Sequence, residues 1–164
     1  MQTSLNVLAQ WILETPLHHA IIASPWIFPA AETIHFMGLT LLFGALLLVD
    51  LRGMGFYRRI DFASAHKLIP VALFAFLFIL GSGLTFIFAD PERYFVNIAF
   101  QIKIGLVLIA SLNALAFEIW VFRPYNAGKA AIIDAFSTRF MSGLSLLLWV
   151  MVLILGRSIP YVEV

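Results

Sequence analysis

Four stretches of this chain, about residues 28–51, 66–89, 96–122 and 138–159, are long and almost continuously apolar. A helix needs about 20 such residues to cross the hydrocarbon of a bilayer, and in lipid every backbone amide must find its partner within the fold. The sequence therefore predicts an all-α membrane protein: a four-helix transmembrane domain over 28–164, with an interfacial amphipathic segment over 1–27. Composition agrees. Of the 164 residues 62% are hydrophobic and 12% are charged, whereas a soluble domain carries roughly 25% charged residues.

The amino-terminal segment reads differently from the spans. Leu5, Leu8, Trp11 and Ile12 recur at helical spacing, and Pro16 and Pro25 then interrupt the chain. With Trp11 and Trp26 alongside, this pattern suits a helix lying in the membrane interface. It has no basic region and no small-residue cleavage site of the kind that marks a signal peptide.

Orientation follows from the basic residues. Arg52, Arg58, Arg59 and Lys67 fall in or beside the first connection, and Arg123, Lys129 and Arg139 in or beside the third. The middle connection carries Arg93 between acidic neighbours. The positive-inside rule makes both basic loops cytoplasmic. The expectation is an antiparallel up-down-up-down bundle in a bacterial inner membrane, with both termini periplasmic. A net charge of +1 gives no reason to expect nucleic acid. The absence of Cys removes thiolate metal sites and iron–sulfur ligation.

Small residues mark the faces expected to pack. Ala31, Gly38 and Ala45 recur in the first span with His35 and Leu42 between them. Ala99, Lys103, Leu106, Ala110 and Ala114 do the same in the third, and Ser142, Ser145, Trp149, Val152 and Gly156 in the fourth. Stripes of this kind let helices approach closely in lipid. His35 and Lys103 thus share the interior.

Depth decides which polar groups can meet. At about 1.5 Å per residue, His35, Lys103 and Met151 each lie about 10 Å from the outer ends of their spans, with Glu32, Arg157, His18 and His19 shallower. His66 lies at the other end, on the order of 20 Å away, which excludes a haem bridged by His35 and His66. Glu32 and His35 form either a self-satisfied polar pair or a site in which His35 is a haem or metal ligand and Glu32 orients it. Lys103 either snorkels to the interface or pairs with Glu32 or an anionic group such as a haem propionate. Arg157 suits an interfacial anchor, and Met151 suits core packing or a haem ligand. His18 and His19 suit the interface, with either able to supply a second axial ligand. At the cytoplasmic end, Asp50 beside Arg52 reads as a boundary ion pair, Asn113 as an interhelical hydrogen bond, and Glu118 as a partner of Arg123 or Lys67. A single Glu-x-x-His argues against a carboxylate-bridged di-iron bundle. No phosphate loop or metalloprotease motif is present.

The runs "PWIFPAAETIHFMGLTLLFGALLLVDLRGMG", "DPERYFVNIAFQIKIGLVLIASLNAL" and "LLLWVMVLILGRSIPY" resemble a bacterial family of four-span inner-membrane proteins classed as a domain of unknown function. That resemblance implies the fold and no activity. A more distant resemblance, to four-helix bacterial protoporphyrinogen oxidases and copper-resistance D membrane domains, implies haem b binding. In those oxidases a first-span His and a third-span Lys are functional, and they correspond to His35 and Lys103. Neither Glu32 nor an extension like residues 1–27 belongs to that pattern.

The reading that follows is a b-type haem protein of the inner membrane. Its site would comprise His35, Lys103, Glu32, Arg157 and Met151, and it would exchange electrons with a quinone or a periplasmic redox protein. The alternative is a non-catalytic anchor or assembly subunit, bound to other membrane subunits or to copies of itself, with a structural Glu/His/Lys network. Copper handling through His18, His19, His35 and Met37 is a third reading, weakened by the few Met and absent Cys.

Overall fold

The computed structural model describes residues 2–162 of the chain. It is all-helical, with no strand among the described residues. Four long apolar helical segments, Ile27–Gly53, Phe62–Ala89, Ile98–Asn126 and Phe136–Tyr161, form a helical bundle and make this a multi-pass membrane protein. Two short helices precede them, α1 (Gln2–Leu13) and α2 (Pro16–Ala23).

The first apolar segment is one uninterrupted helix, α3 (Ile27–Gly53). The chain then turns through Gly55, whose φ of 97° is a left-handed conformation that glycine adopts without steric cost. The next segment has two parts, α4 (Phe62–His66) and α5 (Ile69–Ala89). Asp61 caps α4, accepting a hydrogen bond from the Ser64 amide at 2.9 Å, and Pro70 occupies the first turn of α5, where its missing N–H costs nothing. A single-turn connector, α6 (Pro91–Val96), leads into α7 (Ile98–Phe117). At its end α7 passes through a π-helical turn, Glu118–Phe122, into α8 (Arg123–Asn126). The last long helix is α9 (Phe136–Ser158).

Packing follows the small residues. α3 lies chiefly against α5 and also touches α9, and α9 lies against α7. Leu42, Ala45, Leu46, Ala72, Ala75, Ala110, Leu148, Trp149 and Val152, drawn from all four long helices, make the central layer. Two glycines set the closest approaches. A Cβ on Gly38 would stand 3.2 Å from the Ala75 carbonyl oxygen, and one on Gly53 would collide with the Ser142 hydroxyl and stand 3.1 Å from the Ser142 Cβ. α1 rests on α6, and α2 on α5 and α3, with Ala9, Ile12, His18 and Ile21 buried.

Asn97 ties one end of the bundle together. Its side-chain oxygen caps α7 through the Phe100 amide at 3.1 Å. Its amide nitrogen donates to the carbonyls of Ile159 (3.0 Å) and Val162 (2.7 Å). One buried side chain thereby satisfies an orphan donor at the start of α7 and two carbonyls just beyond α9.

Gly53→Ala is expected to destabilise the fold by about 1–3 kcal/mol, the range for forcing extra volume into a packed contact. Thermal unfolding in detergent should reveal a lowered midpoint, recovered when Ser142→Gly is added. Gly105→Ala, where a Cβ meets nothing within 4 Å, should leave the midpoint nearly unchanged.

Candidate functional site

Near the Glu32 end of α3 the four long helices enclose a partly open cavity of about 620 Å3. Ligand sites commonly measure roughly 300–1,000 Å3. His35, Lys103, Glu32 and Arg157 all line it, together with Tyr94 and a wall of aromatic rings that includes Phe86 and Phe100. Four of the residues expected to form a site are thus brought to one space.

His35 is held from one side. Its Nδ1 lies 2.9 Å from the Ser82 hydroxyl, and that hydroxyl donates its single proton to the Phe78 carbonyl at 2.6 Å. Ser82 must therefore accept at His35, which puts the ring proton on Nδ1 and the lone pair on Nε2. The Ile79 carbonyl also faces the ring, and among the described residues Nε2 makes no hydrogen bond within 3.5 Å. The ring packs edge-on against Phe86, 5.2 Å between centroids, and its Cε1 lies 3.8 Å from where a Cβ on Gly83 would stand. Ser82 is buried, so this arrangement is shielded from competing solvent.

Lys103 enters from α7. Its Nζ lies 3.2 Å from the position of a Cβ on Gly156, so the absence of a side chain there makes room for the ammonium. Among the described residues no carboxylate lies within ion-pairing distance of Lys103, and none pairs with His35. Glu32 is exposed at the mouth. The residue that orients His35 is Ser82. Arg157 is exposed as well, its guanidinium donating to the Tyr161 hydroxyl at 3.3 Å and standing 5.6 Å from the ring centre. Burial pushes the Tyr94 phenol above its ordinary pKa, so near neutral pH it stays an uncharged donor. The space thus combines a half-buried cation, a basic imidazole nitrogen and apolar walls.

The other residues named from the sequence lie elsewhere. Met151 is 41% exposed on the outer face of α9 and does not line the cavity. Its neighbour Val152 takes the inward position. His18 is buried against α5, its Nδ1–H donating to the Phe88 carbonyl at 2.8 Å, and His19 is exposed beside it. Neither reaches the cavity. No cluster of three or more His, Asp or Glu suited to a metal ion occurs among the described residues.

At the other end of α3 a second cavity, about 490 Å3, is lined by Asp50, His66, Asn113, Glu118, Ser145 and Trp149 among apolar side chains. His66 Nε2 lies 3.1 Å from Glu118 Oε2, and Arg123 Nε 4.0 Å from Glu118 Oε1. The π-helical turn begins at Glu118 and brings Phe122 flat against the His66 ring. Asn113 donates across to the Met141 carbonyl at 3.1 Å, the interhelical bond expected for it. Asp50 departs from expectation. It is 4% exposed, its Oδ2 has no hydrogen-bond partner, and Arg52 turns away to donate to the Ile60 carbonyl at 2.6 Å. No boundary ion pair forms.

Ser82 and Asp50 are the functional candidates that sequence reasoning passed over. Both carried a signal. Ser82 lies seven residues from the end of α5, the same depth as His35. Asp50 follows the buried Leu46 by four residues, which puts it on the same helix face.

These features define a helical multi-pass membrane protein with a polar-floored cavity at each end. Comparison with protein families, with curated proteins and with solved structures finds no match.

Ser82→Ala is expected to remove the acceptor nearest the His35 Nδ1–H, leaving the Ile79 carbonyl beside the ring, and to destabilise the protein by about 1–3 kcal/mol. Nitrogen NMR of labelled histidine should report the Nδ1-protonated tautomer in wild type and its loss in the variant.

Proposed function

We propose that the chain is a b-type haem-binding protein of a bacterial inner membrane, serving electron transfer. The observation that carries this reading is the pairing, in one cavity, of a His35 Nε2 and a half-buried Lys103 that have, among the described residues, no hydrogen bond within 3.5 Å and no counter-charge respectively. A neutral imidazole held by a hydrogen bond through its other nitrogen is the usual form of a histidine haem ligand. An unpaired ammonium at the same depth suits a propionate, and Arg157 at the mouth suits the other.

The fit is favourable in three respects. The volume of about 620 Å3 lies in the range that encloses sizeable ligands. The walls are largely aromatic and apolar. Gly44, Gly83 and Gly156 line the space without side chains of their own. In this reading His35 would hold the iron, Ser82 fixes the imidazole tautomer, Lys103 and Arg157 would neutralise the carboxylates, and Tyr94 would donate a hydrogen bond at the rim. Bound haem would supply a one-electron centre. The lining offers one imidazole and no Met, so His35 would be the one strong protein ligand available to such a group.

We further propose the antiparallel arrangement, with the Glu32 end and both termini periplasmic. The support is the distribution of charge: Arg52, Arg58, Arg59, Lys67, Arg123, Lys129 and Arg139 would gather on the cytoplasmic side. A site in the periplasmic half suits exchange with a quinone in the bilayer or with a periplasmic redox protein.

Haemin titrated into the purified protein should give a saturable Soret band. Dithionite reduction should sharpen it, and carbon monoxide should then shift it, because His35 would be the one strong protein ligand. His35→Ala should abolish the band, and Lys103→Met should weaken haem affinity about tenfold or more. Absence of any saturable band in wild type would overturn the proposal. It would leave a structural polar network in a membrane anchor or assembly subunit, recognised by stable co-purification with partner chains.

A further inference from the structure

The cavity at the Asp50 end has two buried polar atoms that the fold leaves unpaired. The Ser145 hydroxyl faces the Asp50 carboxyl, yet among the described residues Asp50 Oδ2 accepts no hydrogen bond within 3.5 Å, and Trp149 Nε1–H has no acceptor. The two residues are 4% and 7% exposed, and both line the cavity. An unpaired buried polar group loses its hydration with nothing in return, so an arrangement with one unpaired acceptor and one unpaired donor is suited to an occupant that supplies the complement of each.

Chemistry narrows that occupant. It must donate to a carboxylate and accept from an indole N–H. An ammonium donates but cannot accept, and a ketone or ester accepts but cannot donate. A hydroxyl does both. The walls narrow it further, because Phe76, Phe117 and Trp149 line the space, with Phe76 and Trp149 edge-to-face at 6.1 Å. Rings of this kind favour a flat aromatic guest.

The way in points to the same class. α5 and α7 make little contact with each other, and the cavity lies between them. Leu73 on α5 and Leu115 on α7 line it while being 61% and 56% exposed. The mouth is therefore apolar and faces laterally, toward acyl chains. A guest arriving this way is lipid-soluble.

We propose that this cavity binds the dihydroxy-aromatic headgroup of a lipid-soluble hydroquinone, with one hydroxyl donating to Asp50 and the ring against Phe76 and Trp149. The site is separate from the cavity around His35, shares no lining residue with it, and does not depend on haem being bound there.

The test uses the full chain in detergent with Trp11, Trp26 and Trp120 changed to Phe, leaving Trp149 as the reporter. Those three side chains are 59%, 79% and 66% exposed, so their replacement should leave the core intact. Decylhydroquinone is expected to change Trp149 emission saturably. Its dimethyl ether, which has the same ring and tail but no hydroxyl donor, should bind at least about tenfold more weakly. Asp50→Ala should reduce hydroquinone affinity by about tenfold while leaving the ether unchanged. Decylamine should bind no better than the ether. The proposal is overturned by an absence of saturable change, by equal affinity for hydroquinone and ether, or by tighter binding of the amine. Because the ether comparison keeps Asp50 in place, it decides the matter even if Asp50→Ala does not fold.

Discussion

The contact between α3 and α5 at Gly38 governs most of what this bundle can do. With no side chain at Gly38, the helix surface meets the Ala75 carbonyl and Ile79 directly. Two close-packed helix axes put side chains one turn further along within hydrogen-bonding reach of each other. That is where His35 meets Ser82. A bulkier contact would move the imidazole away from its acceptor, and a histidine in an apolar bundle without an acceptor pays the full desolvation of its N–H. The register of α3 against α5 and the chemical state of His35 are therefore one property.

The two ends of the bundle carry opposite imbalances. Around His35 the group without a counter-charge among the described residues is the half-buried Lys103, with Glu32 exposed at the rim. Around Asp50 it is an acid, while the neighbouring His66 and Glu118 satisfy each other. Neither imbalance is relieved by a rearrangement visible in the fold. Both sit in cavities with apolar walls, where uncompensated charge is most costly. In membrane interiors such groups ordinarily mark sites of function.

Much of this was legible in the sequence. The four helices followed from apolar length, because a chain in lipid has few other ways to satisfy its backbone. The inward faces followed in large part from small residues at helical spacing: Ala31, Gly38, Ala45, Ala99, Ala110, Ser142 and Ser145 are all buried, whereas Ala114, expected on the same stripe, is exposed. The meeting of His35 and Lys103 followed from depth. Depth is one coordinate only, however. Met151 shares the depth of His35 and still faces outward, since its rotation about the helix axis differs from that of Val152. Asp50 was obscured by its neighbour Arg52, because proximity along the chain suggested a pair that the turn after Gly53 breaks. Ser82 was obscured by ordinary composition, since serine is common in apolar helices and its partner depends on how two helices rotate against each other.

The layer between the cavities has an electrical consequence. Leu42, Ala45, Ala75, Ala110, Leu148 and Val152 pack there with no charged side chain among them, and no residue lines both spaces. Placed across an energised bilayer, such a slab is the segment of lowest permittivity and takes the largest share of the voltage drop. Lys103 and Asp50 would then reside on opposite plates of a capacitor about as thick as a few helical turns. An ion or electron confined to either plate would do electrical work only on crossing the slab.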